Sequence, residues 1–159
     1  MNRYADHLYV IPEDDCDRQL ADGFVLHDQV KTPRIQVMPP AGGWADVLKK
    51  FQTEYIKRLR EDRLGRVVML VDFDGDYNNR RAQFENAIPS DLKERVFVIG
   101  ARETPEELRR ELGKSFEEIG MSLADACLKG IDGDWRHDHL RHNDPDRKRL
   151  VQMVKPFLF

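Results

Sequence analysis

Two continuous apolar runs constrain the fold of this chain more than any other feature of its sequence. They are the segments 67–71 (Val-Val-Met-Leu-Val) and 96–99 (Val-Phe-Val-Ile). Unbroken apolar runs of this length, as opposed to alternating ones, are typical of strands covered on both faces in a parallel sheet. Two further short runs, at 8–11 and 35–38, are candidate strands nearer the start of the chain. The sequence therefore predicts a sheet of four parallel strands.

Amphipathic segments lie between these runs. Apolar residues recur at helical spacing over 44–59, after a turn that contains Gly42 and Gly43. Helices are also predicted over 14–20, before Gly23, and around 84–88. The resulting β-α-β-α-β-α-β order predicts an α/β fold, with a Rossmann-like parallel sheet flanked by helices and right-handed crossovers.

The chain becomes helical after Gly100. The segments 104–107 (Thr-Pro-Glu-Glu) and 115–118 (Ser-Phe-Glu-Glu) carry the pattern of a capping box, which marks the start of a helix. Asp144 and Pro145 indicate the start of a last helix. We therefore predict an α/β core over residues 1–102 and a helical C-terminal extension over 103–159 that packs on it, as a single domain.

Composition excludes several classes of protein. The chain has 40% hydrophobic residues, too many for a disordered segment, and its longest apolar run has five residues, far short of a membrane span. The first residues contain no apolar signal core, and the two cysteines, Cys16 and Cys127, lie far apart. We therefore expect a cytoplasmic protein with reduced thiols and no membrane association. The formal net charge of -3 gives no global basic field for nucleic acid.

Acidic residues follow two of the predicted strands. Glu13 and Asp17 come after the first strand, and Asp72, Asp74 and Asp76 come after the third. Because ligands of open parallel sheets bind at the carboxyl ends of the strands, we expect both groups at one edge of the sheet. Neighbouring carboxylates repel, which raises a pKa unless a cation neutralises them. Mg²⁺ binds such oxygens together with substrate phosphate, so the pattern predicts a metal site.

The spacing within each group of acidic residues favours a shared metal site, although each group also has an explanation without a metal. Asp72 and Asp74 would point the same way on an extended segment, and Asp76 is either a third ligand or a helix N-cap. Asp17 lies one helical turn beyond Glu13 and could face the same point. The alternatives are a solvated turn after the third strand and an acidic first helical turn, favoured by the helix dipole, after the first.

These residues resemble the toprim domain, which is shared by topoisomerases, bacterial primases, small ribonucleases, OLD-family nucleases and RecR-like repair proteins. In that family a glutamate follows the first strand, commonly as Glu-Gly-x-x-Asp, and an Asp-x-Asp follows the third. Glu13 and Asp17 match the first pattern, and Asp72 and Asp74 match the second. The chain departs from the family at Asp14, where glycine is usual. The resemblance covers about residues 7–100.

The resemblance implies a nuclease-like enzyme that processes phosphodiester bonds of DNA or RNA with Mg²⁺ or Mn²⁺. By this analogy, Asp72 and Asp74 hold the metal, Glu13 is a ligand or general acid/base, and Asp17 serves a second metal. At 159 residues the chain is too short for a topoisomerase or a primase. A free-standing hydrolase is one possibility. The alternative is a non-catalytic scaffold or accessory subunit in DNA repair or phage defence, with a protein partner or as a homo-oligomer.

A second family shares part of the acidic motif. Segment 71–75 (Val-Asp-Phe-Asp-Gly) resembles the nucleophile motif of haloacid-dehalogenase phosphatases, in which the first Asp attacks phosphate. That family expects Thr or Val after the glycine, where this chain has Asp76, and its motif follows the first strand. This interpretation, with Asp72 as nucleophile, ranks second.

The polar segment 135–143 holds three of the five histidines. These are His137, His139 and His142. They suggest either a metal cluster or, as we favour, a polar surface segment with Trp135 and Leu140 packed inward. The absence of cysteines nearby argues against a structural zinc site.

Three side chains are candidates for contacting a substrate phosphate near the acidic site, through charge or hydrogen bonding. They are Arg102, Arg141 and His142. Arg102 follows the fourth strand at the edge where the acidic groups are expected, although a salt bridge to Glu103 or Glu106 would explain it equally well.

Overall fold

A computed structural model describes residues 2–159 and shows a four-stranded sheet in which every pair of neighbours is parallel. The strands are β1 (His7–Pro12), β2 (Ile35–Val37), β3 (Gly65–Leu70) and β4 (Val96–Ile99). Their order in the sheet is β2-β1-β3-β4, so the two strands followed by acidic residues, β1 and β3, are neighbours at its centre. The predicted α/β, Rossmann-like fold is confirmed.

Seven α-helices within residues 2–159 connect and cover the strands. They are α1 (Asp15–Val25), α2 (Trp44–Lys50), α3 (Ile56–Glu61), α4 (Tyr77–Ala87), α5 (Pro105–Leu112), α6 (Phe116–Lys129) and α7 (Asp144–Leu158). A π-helical turn, Phe51–Tyr55, joins α2 to α3, so the predicted helix over 44–59 is one continuous helical segment. Both capping signals are followed by helices: the Ser115 hydroxyl accepts a hydrogen bond from the Glu118 N–H at 3.1 Å.

The sheet separates two hydrophobic clusters because successive residues of a strand point to opposite faces. Leu8 and Val10 of β1 pack on one face with α1, α5, α6 and α7, whereas Tyr9 and Ile11 pack on the other with α2, α3 and α4. This burial on both faces explains why the strand sequences are continuously apolar. The segment after residue 102 thus supplies three of the helices that cover one face.

Helix α1 continues through Gly23, further than the sequence indicates, because this glycine lies in a helix crossing. A Cβ atom at Gly23 would lie 2.1 Å from the Glu117 carbonyl oxygen, and one at Gly120 would lie 2.0 Å from the Leu20 carbonyl oxygen. The backbones of α1 and α6 therefore approach so closely that only glycine fits at either position. This contact fixes α1, which carries Asp17, against the C-terminal helices.

Both cysteines are free thiols, as expected, with Cys16 half-buried and Cys127 buried. Burial raises the pKa of the Cys127 thiol to about 11. Across residues 2–159, no helix combines the length and the apolar character needed to cross a membrane.

Candidate metal centre

Glu13 is held at the carboxyl edge of the sheet by bonds to its backbone and to its side chain. Its N–H donates to the Leu70 carbonyl oxygen at 2.9 Å, which extends the pairing of β1 with β3. Its own carbonyl oxygen accepts from the Gly42 N–H at 2.9 Å, in the turn before α2. Its Oε2 atom accepts from the Asp72 N–H at 2.7 Å. The carboxylate of Glu13 is thereby tied directly to the acidic segment that follows β3.

Asp72 lies on a continuation of β3 that still pairs with β4. The Val71 N–H donates to the Ile99 carbonyl oxygen at 2.9 Å, and the Phe73 N–H donates to the Ala101 carbonyl oxygen at 3.0 Å. Phe73 is fully buried on one side, while the Asp72 side chain, only 6% exposed, lies beside Glu13. The sheet itself therefore positions the Asp72 carboxylate.

Asp17 completes the cluster from the first turn of α1. Asp14 caps this helix, accepting at Oδ1 from the Asp17 N–H at 3.0 Å. The Asp17 side chain is 0% exposed, and neither of its carboxylate oxygens has a hydrogen-bond donor among residues 2–159. A buried carboxylate with no donor is costly unless it is protonated or bound to a cation.

The carboxylates of Glu13, Asp17 and Asp72 converge, with ligand oxygens that all lie within 4.8 Å of one another. No other group of three or more possible metal-ligating side chains meets in this way within residues 2–159. Asp72 Oδ1 is also buried without a donor, so lone pairs on two of the three carboxylates are unused. Three hard oxygen donors suit Mg²⁺ or Mn²⁺, which would keep further coordination positions for water and substrate.

The pKa values of all three carboxyl groups are raised. Burial, followed by the charge of Asp72, raises the pKa of Asp17 well above its usual range. Burial, followed by the charge of Glu13, raises the pKa of Asp72 to about 8. Burial raises the pKa of Glu13 in spite of the hydrogen bond from the Asp72 N–H. A cluster of buried, mutually repelling acids at the edge of a sheet is a candidate functional site.

These shifts predict that the metal-free protein loses stability as the pH rises from about 5 to about 8. Because the pKa values of Asp17 and Asp72 are higher in the folded protein, the folded state keeps protons that the unfolded chain has released. The free energy of unfolding should fall by about 1 kcal/mol per pH unit for each such proton. Urea unfolding in a chelator measures this slope, and Asp72→Asn should reduce it. A free energy of unfolding that does not change over this pH range would contradict the raised pKa values.

Asp74 and Asp76 do not join the cluster, contrary to the expectation from their spacing. Asp74 has a left-handed backbone (φ 49°), so the alternation of an extended strand ends before it. Its half-exposed carboxylate turns to Arg80, with Oδ2 3.2 Å from Nη1. Asp76 precedes α4 without capping it through its side chain, and its Oδ1 accepts from Asn79 Nδ2 at 3.0 Å.

Two of the three candidate phosphate ligands form no hydrogen bond or ion pair with the acidic cluster within residues 2–159. Arg102 is exposed, and its N–H donates to the His139 carbonyl oxygen at 2.9 Å. Arg141 is exposed and pairs with Asp138 at 3.3 Å. The Arg102 backbone lies beside the acidic segment, since its carbonyl oxygen accepts from the Gly75 N–H at 2.9 Å.

His142 lies beneath the acidic segment, where it has a supporting role. Its Nε2 donates to the Gly100 carbonyl oxygen at 2.7 Å, and its ring packs edge-on against Phe73 and Tyr77, with centroids 5.4 and 4.9 Å away. Burial lowers the pKa of His142 to about 4, so the ring is neutral at physiological pH. A neutral ring that already donates to a backbone carbonyl supports the segment after β3 and is not available to a phosphate.

The other two histidines of segment 135–143 contact a glutamate. His137 and His139 stack with ring centroids 5.3 Å apart, and His139 Nε2 lies 2.5 Å from Glu111 Oε2. Trp135 and Leu140 are buried, 6% and 3% exposed. The predicted inward packing of Trp135 and Leu140 is confirmed.

Sequence reasoning did not single out Arg80, which the structure places beside the cluster. Its Nη1 donates to the Asp72 carbonyl oxygen at 2.8 Å and to Asp74 Oδ2 at 3.2 Å. Its guanidinium lies over the Trp44 ring, 4.5 Å from the centroid. The one signal in the sequence was its position in the first turns of α4, the helix that follows the acidic segment.

No family model matches the chain, and no curated protein sequence matches it. The chemistry of the site is therefore inferred from its geometry alone. That geometry contains two distinct parts. One is a set of three buried carboxylates that could hold a divalent cation, and the other is a single guanidinium at its rim. A cation with an adjacent arginine is suited to binding an anion such as a phosphate.

Proposed function

We propose that this chain binds Mg²⁺ or Mn²⁺ at Glu13, Asp17 and Asp72 and hydrolyses phosphodiester bonds of a nucleic acid. The observation that carries the proposal is the Asp17 carboxylate, which is fully buried, lacks any donor in the described chain and faces two further carboxylates. A divalent cation would satisfy these oxygens and offset their mutual repulsion.

The arrangement of the site supports phosphate chemistry. It lies at the carboxyl ends of β1 and β3, the edge at which parallel sheets bind ligands. Its acidic residues carry the resemblance to toprim nucleases at Glu13, Asp17 and Asp72. With a formal net charge of -3 and no global basic surface, the chain would attract a phosphate through the cation itself.

The three carboxylates have different tasks in this proposal. When bound, the cation polarises the phosphate and lowers the pKa of a coordinated water. Asp17 and Asp72, the most buried, hold the cation, and the sheet fixes the position of Asp72. Glu13 accepts a hydrogen bond from the Asp72 N–H through Oε2 and supplies the third carboxylate of the site, so it both orients the segment after β3 and helps to hold the cation.

Metal binding is tested first by thermal unfolding. Millimolar Mg²⁺ or Mn²⁺ should raise the Tm by about 5–10 °C at pH 8, since saturating a site about a hundredfold above its Kd adds about 3 kcal/mol. Glu13→Gln and Asp72→Asn should each remove most of this shift. Asp28→Asn, at a position with an 85% exposed side chain, is the matched control and should keep it. No shift in the wild type would refute the metal site.

Catalysis is tested with the same variants and a set of substrates: supercoiled, linear and single-stranded DNA, and RNA. We expect metal-dependent cleavage of at least one substrate, with losses of about a hundredfold or more in Glu13→Gln and Asp72→Asn. Metal binding without cleavage of any substrate would favour a scaffold or accessory subunit. Hydrolysis of a small phosphomonoester that Asp72→Asn abolishes would favour the phosphatase with Asp72 as nucleophile.

A further inference from the structure

We propose that Arg80 binds the substrate phosphate beside the Glu13–Asp17–Asp72 cluster and that Trp44 holds its guanidinium in position. The inference rests on the proposed function and adds to it a residue that no sequence motif identified. Arg80 belongs to α4, and Trp44 is the first residue of α2, so two separate helices meet at the rim of the acidic cluster.

The contacts of Arg80 place its charge next to a candidate metal ligand. Its Nη1 donates to the backbone carbonyl oxygen of Asp72 at 2.8 Å and to Asp74 Oδ2 at 3.2 Å. Its charge also acts on the Glu13 carboxyl, where it lowers the pKa against the larger effect of burial. A phosphate bound to a cation at the cluster would therefore lie within the field of this guanidinium.

Trp44 restricts the conformations of the Arg80 side chain. The guanidinium carbon lies 4.5 Å from the centroid of the indole ring, a cation–π contact. The indole packs in turn against Phe84, with ring centroids 6.3 Å apart. The Arg80 side chain is only 13% exposed although it is charged and close to the surface. A guanidinium fixed in this way loses little conformational entropy when it binds a ligand.

Arg80 keeps hydrogen-bond donors for a ligand. A guanidinium has five N–H donors in a planar fork, and the contacts to Asp72 and Asp74 both use Nη1. Within residues 2–159, its Nε and Nη2 form no hydrogen bond. Neighbouring Arg81, by contrast, is committed to Asp146 and Glu85. Arg80 is thus the guanidinium beside the cluster that has unused donors, as bidentate phosphate binding requires.

A purely structural role is the competing explanation. Arg80 bonds both Asp72 and Asp74, and Asp74 has a left-handed backbone that a clamp would stabilise. A clamp predicts loss of thermal stability and of metal binding in Arg80 variants. A phosphate ligand predicts weaker binding of nucleic acid while the metal response persists.

The experiment compares Arg80→Gln, Arg80→Lys and Trp44→Leu with wild type. The probe is a fluorescently labelled oligonucleotide, DNA or RNA, of the kind that wild type binds most tightly. It is titrated in Ca²⁺ to suppress turnover. Mn²⁺-induced thermal shifts are measured in parallel. Arg80→Gln should weaken oligonucleotide binding about tenfold or more, with Arg80→Lys and Trp44→Leu intermediate, while all three keep the Mn²⁺ shift. Arg60→Gln, an exposed arginine paired with Asp91, makes the same charge change and should bind normally.

The outcomes separate this inference from the function on which it rests. If wild type binds Mn²⁺ and oligonucleotide but Arg80→Gln binds the oligonucleotide equally well, the phosphate role is wrong and the metal site stands. If Arg80→Gln loses the Mn²⁺ shift, Arg80 is a clamp for the acidic segment, which also overturns the inference. If wild type shows no Mn²⁺ shift, the proposed function fails and the inference fails with it.

Discussion

Replacing Asp17 with Asn should abolish the metal-induced thermal shift and, in a chelator at pH 8, make the protein more stable than wild type. The Asp17 carboxylate is fully buried without a donor, so ionising it costs free energy that a cation would offset. Asparagine has the same shape but no charge, and its amide can donate to the carboxylates of Asp14 and Asp72 that face this position. We expect a gain of about 1–3 kcal/mol in the free energy of unfolding and a loss of cleavage of about a hundredfold or more.

The sign of the stability change with pH makes this prediction specific. Because burial raises the pKa of Asp17, its cost is absent below about pH 4, where the unfolded chain is protonated too, and grows as the pH rises towards the higher pKa of the folded protein. The advantage of Asp17→Asn should therefore vanish below about pH 4 and grow towards pH 8, as measured by urea unfolding in a chelator. Asp15→Asn is the control in the same helical turn, since Arg18 lowers the pKa of Asp15 and its loss should not stabilise the protein. Destabilisation by Asp17→Asn at every pH, with the metal shift intact, would refute the assignment.

The sequence predicts the architecture and three of the five acidic positions well. Continuous apolar runs require burial on both faces, which leaves a parallel sheet as the natural solution, and the runs at 67–71 and 96–99 became β3 and β4. The prediction that Glu13, Asp17 and Asp72 meet at the carboxyl edge of the sheet agrees with the structure, although Glu13 extends β1 and only Asp17 lies on α1. The strands are predictable from local periodicity, and the meeting of the acids follows from the general rule that ligands of parallel sheets bind at the carboxyl ends of the strands.

Positions that depend on a backbone turn or on contacts between elements were not predictable. The i, i+2 rule holds only for extended backbone, and the left-handed conformation of Asp74 turns its carboxylate from Asp72 to Arg80. Glycine is typical of helix ends, yet Gly23 lies within α1. It is needed there because the backbone of α6 crosses so closely that a larger residue would not fit. Arg80 acquires its position from Trp44, which is distant in sequence. In each case the deciding contact comes from another part of the chain.

Replacing Gly100 with alanine should cause the largest loss of stability among the substitutions considered. Gly100 follows β4, and a Cβ atom there would lie 1.6 Å from the carbonyl oxygen of Val71 and 2.7 Å from its carbonyl carbon. Overpacking against side chains costs about 1–3 kcal/mol, whereas here the obstacle is backbone. Relief requires breaking the bonds from the Val71 N–H to Ile99 or from the Phe73 N–H to Ala101. We expect a loss of about 3–5 kcal/mol, or a fall in Tm of about 10 °C.

Gly113→Ala is the control that measures the ordinary loss of stability on replacing a glycine, without the steric clash expected in Gly100→Ala. Gly113 ends α5 with a left-handed backbone (φ 65°), and a Cβ atom there would meet nothing within 4 Å, so alanine should cost only about 1–2 kcal/mol. Because Asp72 lies between Val71 and Phe73, the displacement in Gly100→Ala should also remove the metal-induced shift from the protein that still folds, whereas Gly113→Ala keeps it. The contrary outcome is an equal loss of stability in the two variants, with the metal-induced thermal shift retained in both. It would mean that β3 and β4 can separate at their carboxyl ends without moving Asp72. The sheet would then not hold this ligand in place.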